Sequence, residues 1–518
     1  MTSASRYLSW GAPKWPPRPP IARTRPGEAG ARRGIALLLT LGWLLIAAPA
    51  HAAESYERVA AMVHVHSDLS TGDFPLEELT DMAERQGLGA VLLSENYLNR
   101  VEYSLPPFRA LTRVAYESRS VRNRLDEYFA RVAQARAARP RVLIVPGVEV
   151  MPHYFWTGSP FSLALTLHDT QKNLLVWGLD RRALEALPVI GNARAGVRGL
   201  QTALDALPAM LVVAGVLLLA WPRTRRRQLG RAVVVVRRRA WLPGLLLCAV
   251  GVTAVVRAWP FTHPVHSAWA DAGSAPYQDL IDYVERAGGV SVWSLPEARD
   301  DGEQAVGPVR VTWTTEPYPD DLLKTFRYTA FGAIYEDTTR VERPGDGWDR
   351  LLGEYAAGQR TRVPWVLGEA AFHEQSAGKR VGLVQTVFLV RERSEAGVLQ
   401  ALRAGRMYAL QRGGDTGLAL GEFVVTGGGA EASSGETLRA TPGAPLEISV
   451  AIGAEPRPTD VRVTLVRNGS VIAVWSGSTP LRATHREAWD GRPAVFRLDA
   501  RAAGGGRLLS NPIFVKAS

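Results

Sequence analysis

Apolar residues along this chain change their spacing from one stretch to the next, and the spacing predicts the elements. AAMVHVHSD from Ala60, GAVLLSEN from Gly89 and RVLIVPGVEV from Arg141 are short apolar runs of strand length. Between the first two, PLEELTDMAERQGL places Leu76, Leu79, Met82 and Ala83 at helical spacing on one face. A charged stretch over about 115–138 reads as a long helix. YQDLIDYVERAGG from Tyr277 is a helix with a glycine stop, and VSVWS follows it as a strand. Strands alternating with helices predict an α/β fold with a mainly parallel sheet or barrel.

Three apolar runs break this rhythm. GIALLLTLGWLLIAAPAHA follows Arg32-Arg33 and ends in the A-x-A site Ala50-His51-Ala52, so 1–53 reads as a signal peptide or N-terminal anchor. Residues 203–221 and 240–259 each approach the ~20 residues that cross ~30 Å of hydrocarbon. Between them lie Arg223, Arg225, Arg226, Arg227, Arg231, Arg237, Arg238 and Arg239. By the positive-inside rule this loop is cytoplasmic, which leaves both ends of a transmembrane hairpin (201–260) on the outer, periplasmic side. Trp221, Trp241 and Trp259 sit where interfacial aromatic belts are expected. From 416 onward the texture changes again. PLEISVAIGA alternates apolar and polar residues, and Asn468-Gly469 joins two strand-like runs as a hairpin turn would. This predicts an all-β, sandwich-like module over 416–518.

The chain has 518 residues and a formal net charge of +11. The excess sits at the N-terminus and in the arginine loop, so membrane topology accounts for it and no nucleic-acid partner is expected. Cys248 is the one cysteine, which excludes an intrachain disulfide.

His64-Val65-His66 is the chemistry-bearing start. Alternate strand residues face one side, so an H-x-H at a strand end aims two imidazoles at one point, as a metal requires. HVHSDLSTGD, LLSEN, VPGVEV, GGVSVWSLPEA and AAFH then follow in order. This succession resembles the PHP (polymerase and histidinol phosphatase) superfamily across most of 60–410. The resemblance implies a distorted β/α barrel in two parts, 54–200 and 261–415, interrupted by the hairpin and followed by the β-module. It implies a metal site at the strand ends and phosphoester hydrolysis there. Several family ligands are replaced: the family's Asp-His is Ser94-Glu95, its His-Pro is Leu295-Pro296, its Asp-x-His is Ala371-Phe372-His373, and another histidine falls near Asn173. The ligand set carried over is His64, His66, Glu95, Glu149 and His373, with His153, His168 and Glu369 as nearby substitutes. Such a set suits one or two divalent ions, Zn, Mn or Fe. Asp68 and Asp73 are candidate outer partners of the imidazoles, Arg406 a candidate phosphate contact, and His263 and His266 a further His pair. The expectation is a membrane-anchored, extracytoplasmic phosphoesterase with a reduced metal site, acting on a phosphorylated small molecule or polymer. Its alternative is a catalytically inactive binding or envelope-assembly protein.

Overall fold

The computed structural model describes residues 56–105, 109–335, 339–375 and 379–518. The expected signal peptide or anchor lies outside them. The chain is mixed α/β with a large β-rich region. Strand Glu57–Val65 lies between Val384–Val390, which it pairs antiparallel, and Ala90–Leu93, which it pairs parallel. Val59, Ala61, Met62, Val63 and Val65 are all buried. The helix expected next is Leu76–Arg85, with Leu76, Leu79, Met82 and Ala83 buried as the spacing predicts. Each large apolar side chain so covered contributes on the order of 1.5–3 kcal/mol.

The second strand changes partners partway. Ala90–Leu93 pairs with Leu143–Val145, and after Ser94 the short strand Glu95–Asn96 pairs with Gly147–Val150. The step follows Pro146, whose ring removes a ladder donor. From Gly147–Val150 a second sheet runs through Leu174–Trp177, Val290–Trp293, Ala330–Ile334 and Trp365–Gly368. Only Leu174–Trp177 runs against its neighbours in this sheet. The chain beyond Gly368 returns to the first strand: Ala370 N donates to Val63 O at 2.9 Å and Phe372 N to His64 O at 2.9 Å. The strand ends carrying His64, Glu149, Ser294 and Glu369 are thereby held together.

Three regions depart from the expectations. Of the long helix expected over 115–138, only Leu125–Ala138 is helical; Val114–Glu117 pairs with Arg100–Tyr103 as an antiparallel ribbon. Residues 155–168 and 300–315 form a four-stranded sheet that no spacing had marked. The arginine loop is itself a ribbon, Arg223–Leu229 against Ala232–Arg238, because its Arg and Val runs satisfy each other's backbones across a tight Gly230-Arg231 turn. The two helices flanking it, Thr202–Ala220 and Trp241–Ala258, are long and apolar enough to cross a membrane. They meet along small residues: a Cβ at Gly215 would run into Gly244 O and Cys248 Sγ. Their remaining faces expose Met210, Val213, Leu217, Leu242, Leu245 and Val252.

Asn468 and Gly469 make the expected turn, both at positive φ, between Asp460–Arg467 and Ser470–Ser478. The β-rich end is built from two sheets over a shared apolar core that includes Phe423, Ile448, Val463 and Phe496. One of them is the sheet of the first strand, which runs on across residue 415 through Met407–Gln411 and Arg507–Ser510. Fully buried Arg497 in this region holds Asp349 of helix Gly347–Ala356 with two hydrogen bonds of 2.7 and 2.6 Å.

Candidate metal centre

The first strand does not end as a regular strand. Its register with Ala90–Leu93 shifts between Val63 and Val65, and His64 takes a left-handed conformation, φ 67°. Leu295 and Ala371, at two other strand ends, also have positive φ, 42° each. For residues with a Cβ this costs on the order of 1–3 kcal/mol and persists only where surrounding bonds enforce it. At His64 those bonds are Phe372 N to His64 O and His66 N to Phe372 O. The bulge brings the two imidazoles edge to edge, so that His64 Nε2 and His66 Nε2 lie 2.9 Å apart.

Glu149, from the strand Gly147–Val150, completes the convergence. Its carboxylate lies 3.3 Å from His64 Nε2 and 3.6 Å from His66 Nε2. An ion with bonds of about 2.1 Å places neighbouring ligand atoms about 3.0 Å apart in an octahedron and about 3.4 Å in a tetrahedron. The three donors therefore already stand at the edge lengths of a coordination shell, and the residues fit a divalent ion. His64 is fixed from behind by Glu369, whose Oε1 is 2.5 Å from His64 Nδ1. Glu369 in turn accepts from Ser294 Oγ and from Leu295 N at 3.1 Å. A Cβ at Gly332 would collide with this carboxylate, which explains glycine there. Glu149 is aimed by Asn96 Nδ2 at 3.0 Å and Asn173 Nδ2 at 2.8 Å.

The remaining candidates fall in several places. Glu95 is fully buried and turned onto the loop after the first strand, accepting from Ser67 N at 3.0 Å, Ser67 Oγ at 2.5 Å and Ser70 Oγ. His373 stacks on His66 with ring centroids 4.0 Å apart and bonds Thr71 Oγ1 through Nδ1 at 3.0 Å. It stands beside the His64–His66–Glu149 group without being part of it. Asp68 has a buried Oδ1 without a hydrogen-bond partner, and Asp73 N donates to His373 O. Arg406 lies over the Tyr56 ring, 5.3 Å from its centroid. His153 bonds Ser267 O, His168 bonds Thr157, His263 pairs with Asp205 and His266 with Asp279. Ser294, Asn96 and Thr71, which the motifs do not mark, belong to the site's hydrogen-bond network. Asn173, near which the resemblance expects a histidine, reaches the site through Glu149 rather than as an imidazole.

Burial works against a charged His64, yet Glu149 and Glu369 outweigh it and hold the ring's pKa up at about 9. Burial, reinforced by His373, pushes His66 well below the ordinary imidazole value. Burial also acts against ionised Glu149, but His64 and His66 hold it well below the usual carboxylate range. Burial raises Glu95 to about 7 against its serine donors. His373 is lowered by burial, opposed by Glu149, and lowered further by His64 and Lys379, to about 4.

A pH dependence follows for the metal-free protein. His64 has a folded value above its unfolded 6.5, so its contribution is complete below about 6.5 and is lost as pH rises through about 9. Glu95, also raised, loses its contribution between 4.5 and about 7. On the acid side the lowered His373 loses its contribution as pH falls through about 4, opposing the gain from Glu95. His66 and Glu149, both held low, also lose their contributions as pH falls, so the acid limb is shared by several groups, while the limb above pH 6.5 belongs chiefly to His64. Melting of chelator-stripped protein should drop between pH 6.5 and 9, and His64→Gln should flatten that limb. A melting temperature that rises over this interval would contradict the assignment of His64.

No family model and no curated protein matches the chain. Among solved structures it is similar to a two-domain protein from Bacteroides vulgatus containing a predicted PHP-like metal-dependent phosphoesterase. The two are 13% identical, with 85% of this chain and 90% of that one covered and a TM-score of 0.35. An amidohydrolase from Chromobacterium violaceum is 13% identical over 61% of this chain and 88% of its own, with a TM-score of 0.25.

Proposed function

We propose that this chain is a membrane-anchored, extracytoplasmic phosphoesterase of PHP type, working with a reduced, single-ion metal site. The observation that carries the reading is the convergence of His64 Nε2, His66 Nε2 and the Glu149 carboxylate at coordination-edge distances, with Glu369 bracing His64. The backbone bonds from Ala370 and Phe372 to the first strand support a distorted β/α barrel around that point. A bound Zn, Mn or Fe ion would supply a low-pKa water and a Lewis acid for the phosphoryl oxygen.

The chain's own residues do the rest. Glu369 orients the His64 ring and increases its basicity, as outer carboxylates do at imidazole ligands. Asn96 and Asn173 fix the Glu149 carboxylate. His373, beside the group, is half-buried where the three ligands are buried, so it is the neighbouring imidazole that solvent and substrate reach. It is neutral near pH 7, so its ring can hydrogen-bond a substrate or water at the site without adding charge. Anchoring is supported by the two apolar helices, whose exposed Leu and Val faces are costly in water. The arginine ribbon between them argues for a cytoplasmic turn, with both ends outside.

A second reading, a catalytically inactive binding or envelope-assembly protein, is favoured by Leu295 and Ala371. They keep strained strand-end backbones at positions where the resemblance expects His and Asp, yet neither side chain binds metal. Purified full-length protein loaded with Mn or Zn and offered a panel of phosphomonoesters and phosphodiesters separates the two. Turnover that His64→Ala removes supports the enzyme. A stoichiometric ion without turnover on any substrate supports the second reading.

A further inference from the structure

Away from the metal centre, a cavity of about 320 Å³ opens where the second apolar helix ends. Its walls are the ribbon Arg100–Tyr103 and Val114–Glu117, the turn at 191–196, and the segment leaving Trp241–Ala258. Arg257, in that helix's last turn, ties the helix to the ribbon side by donating to Leu111 O at 3.3 Å and Arg113 O at 2.9 Å. Exposed apolar side chains rim the same place: Val114, Tyr116 and Trp259 are 65%, 70% and 72% exposed. An aromatic and aliphatic rim at the end of an apolar helix is the signature of a membrane–water interface.

The cavity's charges are unequal. Arg100, Arg113 and Arg122 line it against Glu102 and Glu117. Arg100 is committed to both carboxylates, at 3.4 and 2.9 Å. Arg122 reaches Asn192 Oδ1 at 3.3 Å, but its buried Nε has no hydrogen-bond partner. Arg113 has no ion-pair partner among the described residues. Arg113 is thus the lining cation without a carboxylate, and a net single positive charge matches one monoanion. Resting on the anchoring proposed above, we infer that this cavity binds the monoanionic phosphodiester of a membrane lipid headgroup, with Arg113 and Arg122 as its donors. Val114, Tyr116 and Trp259 then meet the glycerol and upper acyl region.

The test uses full-length protein in neutral detergent, with native mass spectrometry after adding equal phosphatidylglycerol and phosphatidylcholine. Wild type is expected to retain one phosphatidylglycerol per chain in about tenfold preference. Arg113→Glu, and Arg113→Gln with Arg122→Gln, should each abolish that preference. Bound-ion content equal to wild type shows each variant is folded. Variants that fold and retain phosphatidylglycerol as wild type does overturn the proposal. So does soluble glycerophosphoglycerol displacing the lipid at equal concentration, since the ligand would then be the free diester. Anchoring is tested separately: a chain that stays in solution without detergent overturns that reading, whatever the arginine variants do.

Discussion

Glu149→Ala is expected to lower ion affinity by at least about a hundredfold, and activity with it. Loss of an outer partner alone costs about 10–100-fold at such centres, and Glu149 supplies a ligand atom itself. Without it, two imidazoles face each other at 2.9 Å with no anion to balance an ion. Asn96 and Asn173 also lose their shared acceptor, which adds about 1–3 kcal/mol of destabilisation. Glu149→Gln keeps the shape and an acceptor for one of the two asparagines, so it should restore part of the stability and little of the ion binding. Metal content by elemental analysis and affinity by calorimetry read the two effects separately. If Glu149→Ala holds its ion like the wild type, the centre lies elsewhere.

Much of this site is visible in the sequence because its ligands sit on motifs with fixed spacing. H-x-H at the end of an apolar run and the Glu of VPGVEV need only strand geometry to be placed. What holds them is less visible. Glu369 stands four residues before His373, which suggests a helical turn, but Trp365–Gly368 is a strand and extended backbone carries Glu369 under His64. Ser294 and Asn96 are short polar residues at strand ends, where turn chemistry is the ordinary explanation. Only the fold brings them to the carboxylates. Glu95 lies next to the second strand's step, and rotation there hands its carboxylate to Ser67 and Ser70. The helices were legible where apolar spacing was strong, as in Leu76–Arg85. The expectation failed over 115–124, where Val114–Glu117 finds an antiparallel partner in Arg100–Tyr103, with paired residues 11 to 17 positions apart. Local propensity does not encode that pairing.

Asp349→Ala is expected to destabilise the protein by about 3–5 kcal/mol, the usual cost of stranding one member of a buried ion pair. Arg497 is fully buried, lies over the Trp348 ring at 4.8 Å, and has both its bonds to a carboxylate on Asp349. Asp349 also accepts from the exposed Gly345 N at 2.8 Å, a donor that water would satisfy in the alanine variant. Arg497→Met together with Asp349→Leu removes both charges and should recover most of the loss, since apolar replacement of a whole buried pair is often neutral. Denaturant midpoints of the single and double variants measure this. A loss below about 1 kcal/mol for Asp349→Ala would mean that the pair contributes no more than a surface one. Because Asp349 and Arg497 lie on either side of residue 415, the wild type should unfold in one transition.

The join between the first strand and the far end of the chain also sets an order of events. His64 and His66 leave the ribosome early, but Glu369 lies 305 residues beyond His64, and the antiparallel partner Val384–Val390 comes later still. Contacts this distant in sequence form late and slowly. During synthesis the leading strand has its parallel neighbour Ala90–Leu93 early, but its other edge must wait while both apolar helices and the arginine ribbon emerge. The ligands His64, His66 and Glu149 emerge together, but Phe372, which enforces the His64 bulge, and Glu369, which braces its ring, come more than 200 residues later, so the site is fully ordered only in the finished chain.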